Sequence, residues 1–231
     1  MNPTLPLVSC IMPTANREKF IPHAIRYFQR QNYANKELVI IDDGVSSIEN
    51  LIPQDAQIRY KKLDRVCVTG EKRNIACECS NGALILHWDD DDWYAPDWIS
   101  YQVNCLQSSN ADIAGLSNFY LYAPLKNKSW MYIYPPHDRP WVAGTSMIYR
   151  KAFWEKHQFK KVKIGEDNMF VWESLPKVKA HDYKEGVIAL IHRKNTSPKI
   201  PNNSRWRSTP AKEIEQIMGH DVEIYHSLSI W

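Results

Sequence analysis

Short apolar runs and helix-spaced apolar positions alternate through the first hundred residues of the chain. Continuous apolar runs of this length are typical of buried strands, and apolar side chains that recur every three or four residues indicate amphipathic helices. Strand, helix and strand in succession predict neighbouring parallel strands with a right-handed crossover. The pattern therefore predicts an α/β fold with a mostly parallel central sheet and flanking helices. The predicted strands cover 7–12, 37–41, 58–63 and 84–88, and the predicted helices cover 20–31, 72–80 and a segment that opens at Pro96.

The second half of the chain is less regular and predicts a mixed arrangement of strands and helices. Residues 194–210 are rich in Asn, Ser and Pro and carry several basic residues, which is typical of a mobile loop. Residues 112–122 and 130–134 are predicted as strands or as a hairpin, and further strands are predicted at 146–149 and, as the last strand of the chain, at 187–192. The predicted helices begin near 151 and cover 168–174 and 209–225.

Four consecutive carboxylates, Asp89–Asp92, follow directly on the apolar run 84–88. Open α/β sheets bind ligands at the carboxyl ends of their strands. Adjacent like charges raise their own pKa values unless a cation is near. Oxygen ligands suit Mg²⁺ or Mn²⁺, and an ion held by one or two carboxylates completes its shell with substrate phosphates. The segment predicts an enzyme that handles a nucleotide or another diphosphate, with a solvated acidic turn as the alternative.

Composition excludes several classes of protein. With 231 residues, of which 44% are hydrophobic and 24% charged, the chain is long enough for one domain with a sizeable core. The net charge of +3 is too small to indicate nucleic acid as a partner. The five cysteines lack metal-finger spacing, so reduced thiols in a cytoplasmic protein are expected. The sequence predicts no signal peptide and no membrane-spanning helix, and it leaves a peripheral membrane contact open.

Six motifs follow one another in the order of a known family. They are Val8–Arg17, Val39–Gly44, Arg73-Asn74 with Gly82, Asp89–Asp92 with Pro96, Gly165–Asp167 and His192. In this joint order the chain resembles the family-2 glycosyltransferases, which have the A-type nucleotide-sugar transferase fold. The chain departs from the family at Ala15, where Tyr or Phe is usual, at His87-Trp88 in place of an apolar pair, and at 77–79 in place of small residues.

The resemblance implies a donor site at the carboxyl ends of the first strands. It implies Asp91 as the direct ligand of Mn²⁺ or Mg²⁺, with Asp89 and His192 as further metal ligands. From the residues alone, a single histidine at a strand end is usually structural. The positions that the resemblance implies for binding the nucleotide sugar are Pro13, Thr14, Arg17, Asp42, Asp43, Arg73, Asp89 and Asp90.

The resemblance also implies that the late acidic motif supplies the catalytic groups. Asp167 would act as the general base that removes the acceptor's proton, and Glu166 would assist it. Direct displacement by the acceptor implies inversion at the anomeric carbon. The residues alone leave an alternative, in which both carboxylates are helix N-terminal charges favoured by the helix dipole. Asp92 is interpreted in that way, as a charge at the entry of the next helix.

The resulting hypothesis is a single domain over 1–231 that transfers a sugar from a nucleotide-diphosphate donor. Its parts would be a nucleotide-sugar-binding half (1–100), an acceptor and catalytic half (101–193), and a mobile loop with a C-terminal helix (194–231). UDP-linked donors are expected because the family uses them most, with a glycan, a lipid-linked sugar or a polypeptide as acceptor. A non-catalytic module that binds nucleotide sugar or glycan is one alternative. A sugar nucleotidyltransferase is another, although the chain lacks the Gly-rich loop that this class needs after the first strand.

Overall fold

A computed structural model describes residues 5–227, and it shows a seven-stranded sheet beside a five-stranded sheet. The strands of that range are β1 (Val8–Thr14), β2 (Lys36–Asp42), β3 (Ile58–Lys62), β4 (Leu84–His87), β5 (Trp93–Tyr94), β6 (Ile113–Leu116), β7 (Asn118–Ala123), β8 (Lys128–Ile133), β9 (Ile148–Arg150), β10 (Val178–His181), β11 (Val187–Leu190) and β12 (Trp206–Thr209). The large sheet has the order β10-β6-β9-β4-β1-β2-β3, and the small sheet has the order β12-β8-β7-β11-β5. Neighbours in the large sheet are parallel, except that β9 is antiparallel to both β4 and β6.

The helices of the described range are α1 (Ile21–Gln29), α2 (Thr69–Cys79), α3 (Trp98–Ser109), α4 (Lys151–Trp154), α5 (Glu166–Glu173), α6 (Ala211–Met218) and α7 (Val222–Ser227). None of these helices combines the length and the apolar character that are needed to cross a bilayer. The predicted α/β fold with a mostly parallel sheet and flanking helices is confirmed.

Both faces of the large sheet are covered, which explains the continuous apolar runs in its strands. Successive side chains of a strand point to opposite faces. In β1, Cys10 and Met12 join one hydrophobic cluster together with Phe28 of α1, whereas Ile11 joins a second cluster together with Cys77 of α2. The two helices therefore pack on opposite faces of the sheet, and the strands β1, β2 and β4 between them are buried except at Pro13.

The predicted bounds of β1–β4 and α1 agree with the structure to within two residues at each end. The first-half elements were predictable because burial on both faces leaves an uninterrupted apolar run, and because α1 buries one regular stripe of apolar side chains. Helix α2 begins three residues before its predicted start, at Thr69.

Three predictions in the second half are wrong. The strand β11 ends at Leu190 and is not the last strand, because β12 lies inside the predicted loop 194–210 and pairs antiparallel with β8. The strand β10 was missed, since it is a short edge strand with Lys179 exposed in its middle. The single helix predicted over 209–225 is broken at Gly219, whose φ of 58° lies in the left-handed region.

The register of the large sheet brings the motif-bearing strand ends to one edge. Thr14 at the end of β1 lies beside Asp42 at the end of β2, and Ile11 lies beside His87 at the end of β4. The residues that follow these three parallel strands therefore lie close together. They include the four carboxylates Asp89–Asp92.

Candidate active site

The edge at which β1, β2 and β4 end opens into a cleft of about 710 Å³. Its lining comes from both halves of the chain. It includes the turn after β1, the start of α2, the carboxylates after β4, the start of α5 and the segment 194–199. Nine of the twelve predicted site residues line it, namely Pro13, Thr14, Arg17, Arg73, Asp89, Asp90, Asp91, Glu166 and Asp167. The other three, Asp42, Asp43 and His192, lie beside it.

The guanidinium of Arg17 bridges two of the strand-end carboxylates. Its Nη1 lies 2.6 Å from Asp90 Oδ1 and 2.9 Å from Asp91 Oδ2. Thr14 Oγ1 donates to the second oxygen of Asp90 at 2.6 Å. These contacts supply the positive charge and the hydrogen bonds that two buried carboxylates need.

Asp91 has further partners on the segment that follows β11. His192 Nε2 lies 2.8 Å from Asp91 Oδ2, and Asn195 Nδ2 donates to the same oxygen at 3.3 Å. Burial would raise the pKa of Asp91, but the Arg17 charge and the His192 contact outweigh it and hold this pKa at about 2. Asp91 is therefore ionised and is the carboxylate of the cluster best prepared to meet a cation.

Asp92 ties β11 to the end of β4 by its hydrogen bonds. Its Oδ1 accepts a hydrogen bond of 2.9 Å from the Leu190 backbone N–H, and its Oδ2 accepts one from Thr145 Oγ1. Burial, together with the charges of Asp91 and Asp89, raises the pKa of Asp92 well above its usual value. The side chain therefore has a structural role, which differs from the helix-entry charge predicted for it.

We expect Asp92→Ala to lower the free energy of unfolding by about 1–3 kcal/mol, because the buried Leu190 N–H loses its acceptor. Asp92→Asn keeps a carbonyl oxygen for that N–H and should cost less than the alanine substitution. Thermal unfolding of both variants checks this, with the exposed Asp64→Ala as a control expected within about 0.5 kcal/mol of the parent protein. Equal melting temperatures for the alanine variant and the parent would contradict the structural role.

Arg73 connects the strand-end carboxylates to the late acidic motif. Its Nη2 lies 3.4 Å from Asp89 Oδ1, and its Nε lies 3.1 Å from Glu166 Oε1. Its Nη1 is buried and has no hydrogen-bond partner among the described residues. Burial disfavours its charge, but Asp89, Glu166 and Asp167 outweigh burial and raise the pKa of Arg73 above its usual value. One fixed cation thus spans both acidic motifs.

Glu166 and Asp167 lie in the first turn of α5, directly after Gly165, whose φ of 85° starts the helix sharply. Glu166 is buried, and burial raises its pKa even though the Arg73 charge opposes this. Asp167 is half-buried and accepts a hydrogen bond of 2.8 Å from the Asn168 backbone N–H. Glu166 and Asp167 therefore lie at the N-terminus of a helix and also line the cleft, so the two alternatives predicted for them describe the same position.

Asp42 and Asp43 are held by contacts within the first half. Asp43 Oδ1 accepts from Lys72 Nζ at 2.7 Å, and its Oδ2 accepts from the Cys67 backbone N–H at 2.7 Å. Asp42 Oδ1 accepts from the Gly44 backbone N–H at 2.7 Å, and its Oδ2 accepts from Tyr60 Oη at 2.8 Å. The Asp42 contact is that of an Asp-Gly turn.

The sequence prediction missed several residues that line the cleft. Lys72 lies in α2 next to the predicted Arg73, and its Nζ also donates to the Thr14 backbone carbonyl at 3.2 Å. Asn195 and Trp206 were missed because they lie in the segment predicted as a loop. The sequence indicated a role for Lys72 only through its position next to Arg73 in the predicted helix. For Asn195 and Trp206, which lie in a segment predicted as a polar loop, the sequence indicated no role.

A divalent cation fits this site only as part of a larger complex. Residues 5–227 contain no group of three or more His, Cys, Asp or Glu side chains arranged to hold a metal ion. Asp91 Oδ2 and His192 Nε2 nevertheless lie 2.8 Å apart, with Asp89 nearby in the cleft. Two protein ligands suffice for Mg²⁺ when phosphate oxygens and water complete the shell. The donor set fits an ion that binds together with a diphosphate.

Comparisons with known sequences and structures show what this chain is similar to. The sequence model of the family described as Glycosyl transferase family 2 matches residues 9–168. The putative colanic acid biosynthesis glycosyl transferase WcaA of Escherichia coli (strain K12) is 36% identical over 172 residues, which are 72% of this chain and 57% of WcaA. This chain spans about half the length of the curated relatives it matches.

Two solved structures share the fold. S. aureus TarS 1–349 in complex with UDP-GlcNAc superposes with a TM-score of 0.66 at 15% identity, and the match covers 96% of this chain and 73% of TarS 1–349. The mannosyltransferase PcManGT from Pyrobaculum calidifontis, in complex with GDP-Man and Mn²⁺, superposes with a TM-score of 0.65 at 13% identity, and the match covers 83% of this chain and 59% of that one.

Proposed function

Because the chain belongs to glycosyl transferase family 2, we propose that it transfers a sugar from a nucleotide-diphosphate donor. The donor is UDP-linked, and the acceptor is a hydroxyl group of a glycan, a lipid-linked sugar or a polypeptide. The reaction inverts the anomeric centre and uses Mn²⁺ or Mg²⁺. The bound UDP-GlcNAc of TarS, and the bound GDP-Man and Mn²⁺ of PcManGT, support a nucleotide-sugar donor and a metal. The similarity to WcaA supports a role in the synthesis of a polysaccharide or glycoconjugate.

The observation that carries this proposal is the cleft in which Arg73 joins the two acidic motifs. Arg73 contacts Asp89 after β4 and Glu166 at the start of α5, and all three side chains line the same cleft as Asp91 and Asp167. Departure of a nucleoside diphosphate needs positive charge on one side of the reacting carbon. Attack by a hydroxyl group needs a proton acceptor on the other side. A single cleft that contains both kinds of group supports a displacement reaction.

On the donor side, Asp91 and His192 would hold the metal ion, with Asp89 as a further ligand. The bound ion would supply Lewis-acid stabilisation of the leaving diphosphate. Arg17, which pairs with Asp90 and Asp91, would turn to the diphosphate oxygens when the donor is present. The remaining predicted residues would position the nucleoside: Pro13, Thr14 and Asp90 along its length, and Asp42 and Asp43 towards the ribose and base.

On the acceptor side, Asp167 would remove the proton of the attacking hydroxyl group. The acceptor oxygen forms the new bond to the anomeric carbon while the bond to the diphosphate oxygen breaks, and the proton passes to the Asp167 carboxylate. Attack from the side opposite the leaving group inverts the configuration. Glu166, held by Arg73 at 3.1 Å, would orient the acceptor and keep Arg73 in place.

Thermal unfolding with nucleotides and metal tests the proposal in two steps. Ligand at one hundred times its Kd stabilises a protein by about 2.7 kcal/mol, which for a chain of this size raises the melting temperature by roughly 5–10 °C. We expect this shift with UDP plus Mn²⁺ and a much smaller one with either alone. Incubation with UDP-sugars and glycan acceptors should then give a product of inverted configuration by NMR. A metal-dependent shift without turnover on any acceptor would favour the binding module instead.

Gly144→Ala should lower kcat by about 10²-fold, because a Cβ atom at this position would lie 2.3 Å from Asp167 Oδ2. The base must then move away from the acceptor, while the donor contacts stay intact. Steady-state kinetics with both substrates checks this, and the melting-temperature shift with UDP and Mn²⁺ should match that of the parent protein. An unchanged kcat would show that the position of Asp167 is not critical for transfer.

A further inference from the structure

Positive charge is concentrated in two segments of the chain. Residues 156–165 and 193–212 carry ten Lys and Arg side chains and no Asp or Glu. The rest of the chain therefore carries 19 basic and 26 acidic residues, and it is net negative. The modest total of +3 hides this separation. A separation of this size creates a local positive potential even when the net charge is small.

Both segments border the mouth of the cleft. Lys163 and Ile164 line it on one side, and Lys194 and Lys199 line it on the other. Lys163 and Lys194 are exposed. Lys163, Lys194 and Lys199 line the cleft, and Lys160, Lys161 and Arg193 are exposed residues that neighbour them in the sequence. We call these six residues the basic rim.

Each part of the basic rim is fixed to the body of the protein. The Gly70 backbone N–H donates to the Val162 carbonyl at 3.1 Å, and Thr69 Oγ1 donates to the Lys163 carbonyl at 3.0 Å. A Cβ atom on Gly70 would lie 1.9 Å from the Lys160 carbonyl, so only glycine allows this approach. On the other side, Arg17 donates to the Lys194 carbonyl. The rim is therefore held in a defined place relative to the site.

Two large apolar side chains lie among these charges and face solvent. Ile164 is 51% exposed and Ile200 is 59% exposed. Each is next to a basic residue in the sequence: Ile164 follows Lys163, which is exposed, and Ile200 follows Lys199, which is half-buried. Lysine and arginine around exposed aliphatic side chains are the composition that binds at the interface of an anionic bilayer. A dissolved polyanion would use the charges but would have no use for the isoleucines.

We infer that the basic rim binds the surface of an anionic membrane and turns the mouth of the cleft towards it. Each basic side chain near such a surface contributes about 1 kcal/mol, and four to eight clustered Lys or Arg residues are typical of this binding. This inference deepens the proposed function and rests on it. If the protein is a sugar transferase held at the membrane, its acceptor is carried by a lipid and enters the cleft from the bilayer. A lipid-linked sugar is then favoured over a polypeptide as the acceptor.

Sedimentation with vesicles tests this inference without donor or acceptor. We expect the protein to bind phosphatidylcholine vesicles that contain phosphatidylglycerol, and to stay in solution with phosphatidylcholine alone. The triple variant K160Q/K161Q/K163Q should bind about 30-fold more weakly, from Lys161 and Lys163 at about 1 kcal/mol each, because the Lys160 charge is already compensated by Glu173 at 3.4 Å. The matched triple variant K61Q/K126Q/K128Q removes three exposed lysines outside the cleft and should bind like the parent protein.

The double variant I164S/I200S separates a membrane from a dissolved polyanion. It should weaken vesicle binding at least 10-fold at unchanged charge and leave binding to heparin unaltered. The inference is overturned if vesicle binding does not depend on phosphatidylglycerol, if both triple variants behave alike, or if the isoleucine variant binds vesicles normally. A protein that fails these tests but still shows the metal-dependent shift with UDP refutes only the membrane inference. Vesicle binding without any sugar transfer refutes only the proposed function.

Discussion

Asp167→Asn lowers kcat for sugar transfer by about 10²–10⁴-fold, which is the usual contribution of a general base. The substitution keeps the size of the side chain. It also keeps an oxygen that can accept from the Asn168 backbone N–H, which donates to Asp167 Oδ1 at 2.8 Å in the parent protein. It removes the carboxylate that would receive the acceptor's proton under the proposed function. Under the proposed function the donor binds at the carboxylates after β4, so the KM for donor and the shift with UDP and Mn²⁺ should stay close to those of the parent protein.

Glu173→Gln is the matched control for this experiment. It neutralises a carboxylate at the other end of α5, where Glu173 is half-exposed and pairs only with Lys160 at 3.4 Å among the ion pairs of the described residues. We expect its kcat to remain within about twofold of the parent value, because surface substitutions rarely disturb a fold. If Asp167→Asn and Glu173→Gln gave the same kcat, the proton acceptor would have to be another group, and Glu166 would be the next to substitute.

Asp91→Asn should abolish the metal-dependent stabilisation by UDP and lower transfer by about 10³-fold. Asp91 is the carboxylate that the structure keeps ionised, with a pKa of about 2, and an amide does not provide a negative ligand for a divalent ion. The 10³-fold decrease corresponds to the loss of several kcal/mol of transition-state stabilisation at the leaving diphosphate. Arg17 keeps its contact of 2.6 Å to Asp90, so the variant should still fold. Calorimetry with UDP and Mn²⁺, together with kinetics, measures both effects.

Asp64→Asn is the comparison variant for Asp91, since Asp64 is an exposed carboxylate outside the cleft. It should bind UDP and Mn²⁺ like the parent protein. Circular dichroism confirms that Asp91→Asn retains its secondary structure, so that lost binding is not mistaken for unfolding. A full metal-dependent shift in folded Asp91→Asn would place the metal ligand elsewhere among the carboxylates.

The first half of the fold was predictable from sequence because its signals are local. The strands β1, β2 and β4 are buried on both faces, so their central positions form continuous apolar runs, with polar residues such as Glu37 and Asp42 at the strand ends. The four carboxylates after β4 were therefore recognisable as a strand-end cluster. The strand β12 was not predictable, because its side chains, including Trp206 and Arg207, are partly or fully exposed and only pairing with β8 defines it.

The predicted site residues were largely brought together, but their contacts were not predictable. Arg73 lies 93 positions before Glu166 in the chain, and no local pattern indicates that their side chains meet. Lys72 was missed although it neighbours Arg73, because a basic residue on a helix is usually solvated. Contacts of this kind depend on how α2 and α5 pack against each other, which the periodicity of either helix does not encode.

Under the proposed function, Arg17 is a built-in counter-ion of the donor site, and its contact to Asp91 must be exchanged before metal and donor can bind. A lone divalent ion at Asp91 would have to replace one of the two carboxylate contacts of the guanidinium, which would then keep only Asp90. A nucleoside diphosphate alone would find the Arg17 guanidinium already paired with Asp90 and Asp91, so the positive charge of Arg17 would not be available for its phosphates. When both ligands enter together, the guanidinium exchanges a carboxylate for a phosphate, and every charge keeps a partner. Under the proposed function, each ligand must then raise the affinity for the other by the same factor, because binding free energies are reciprocal.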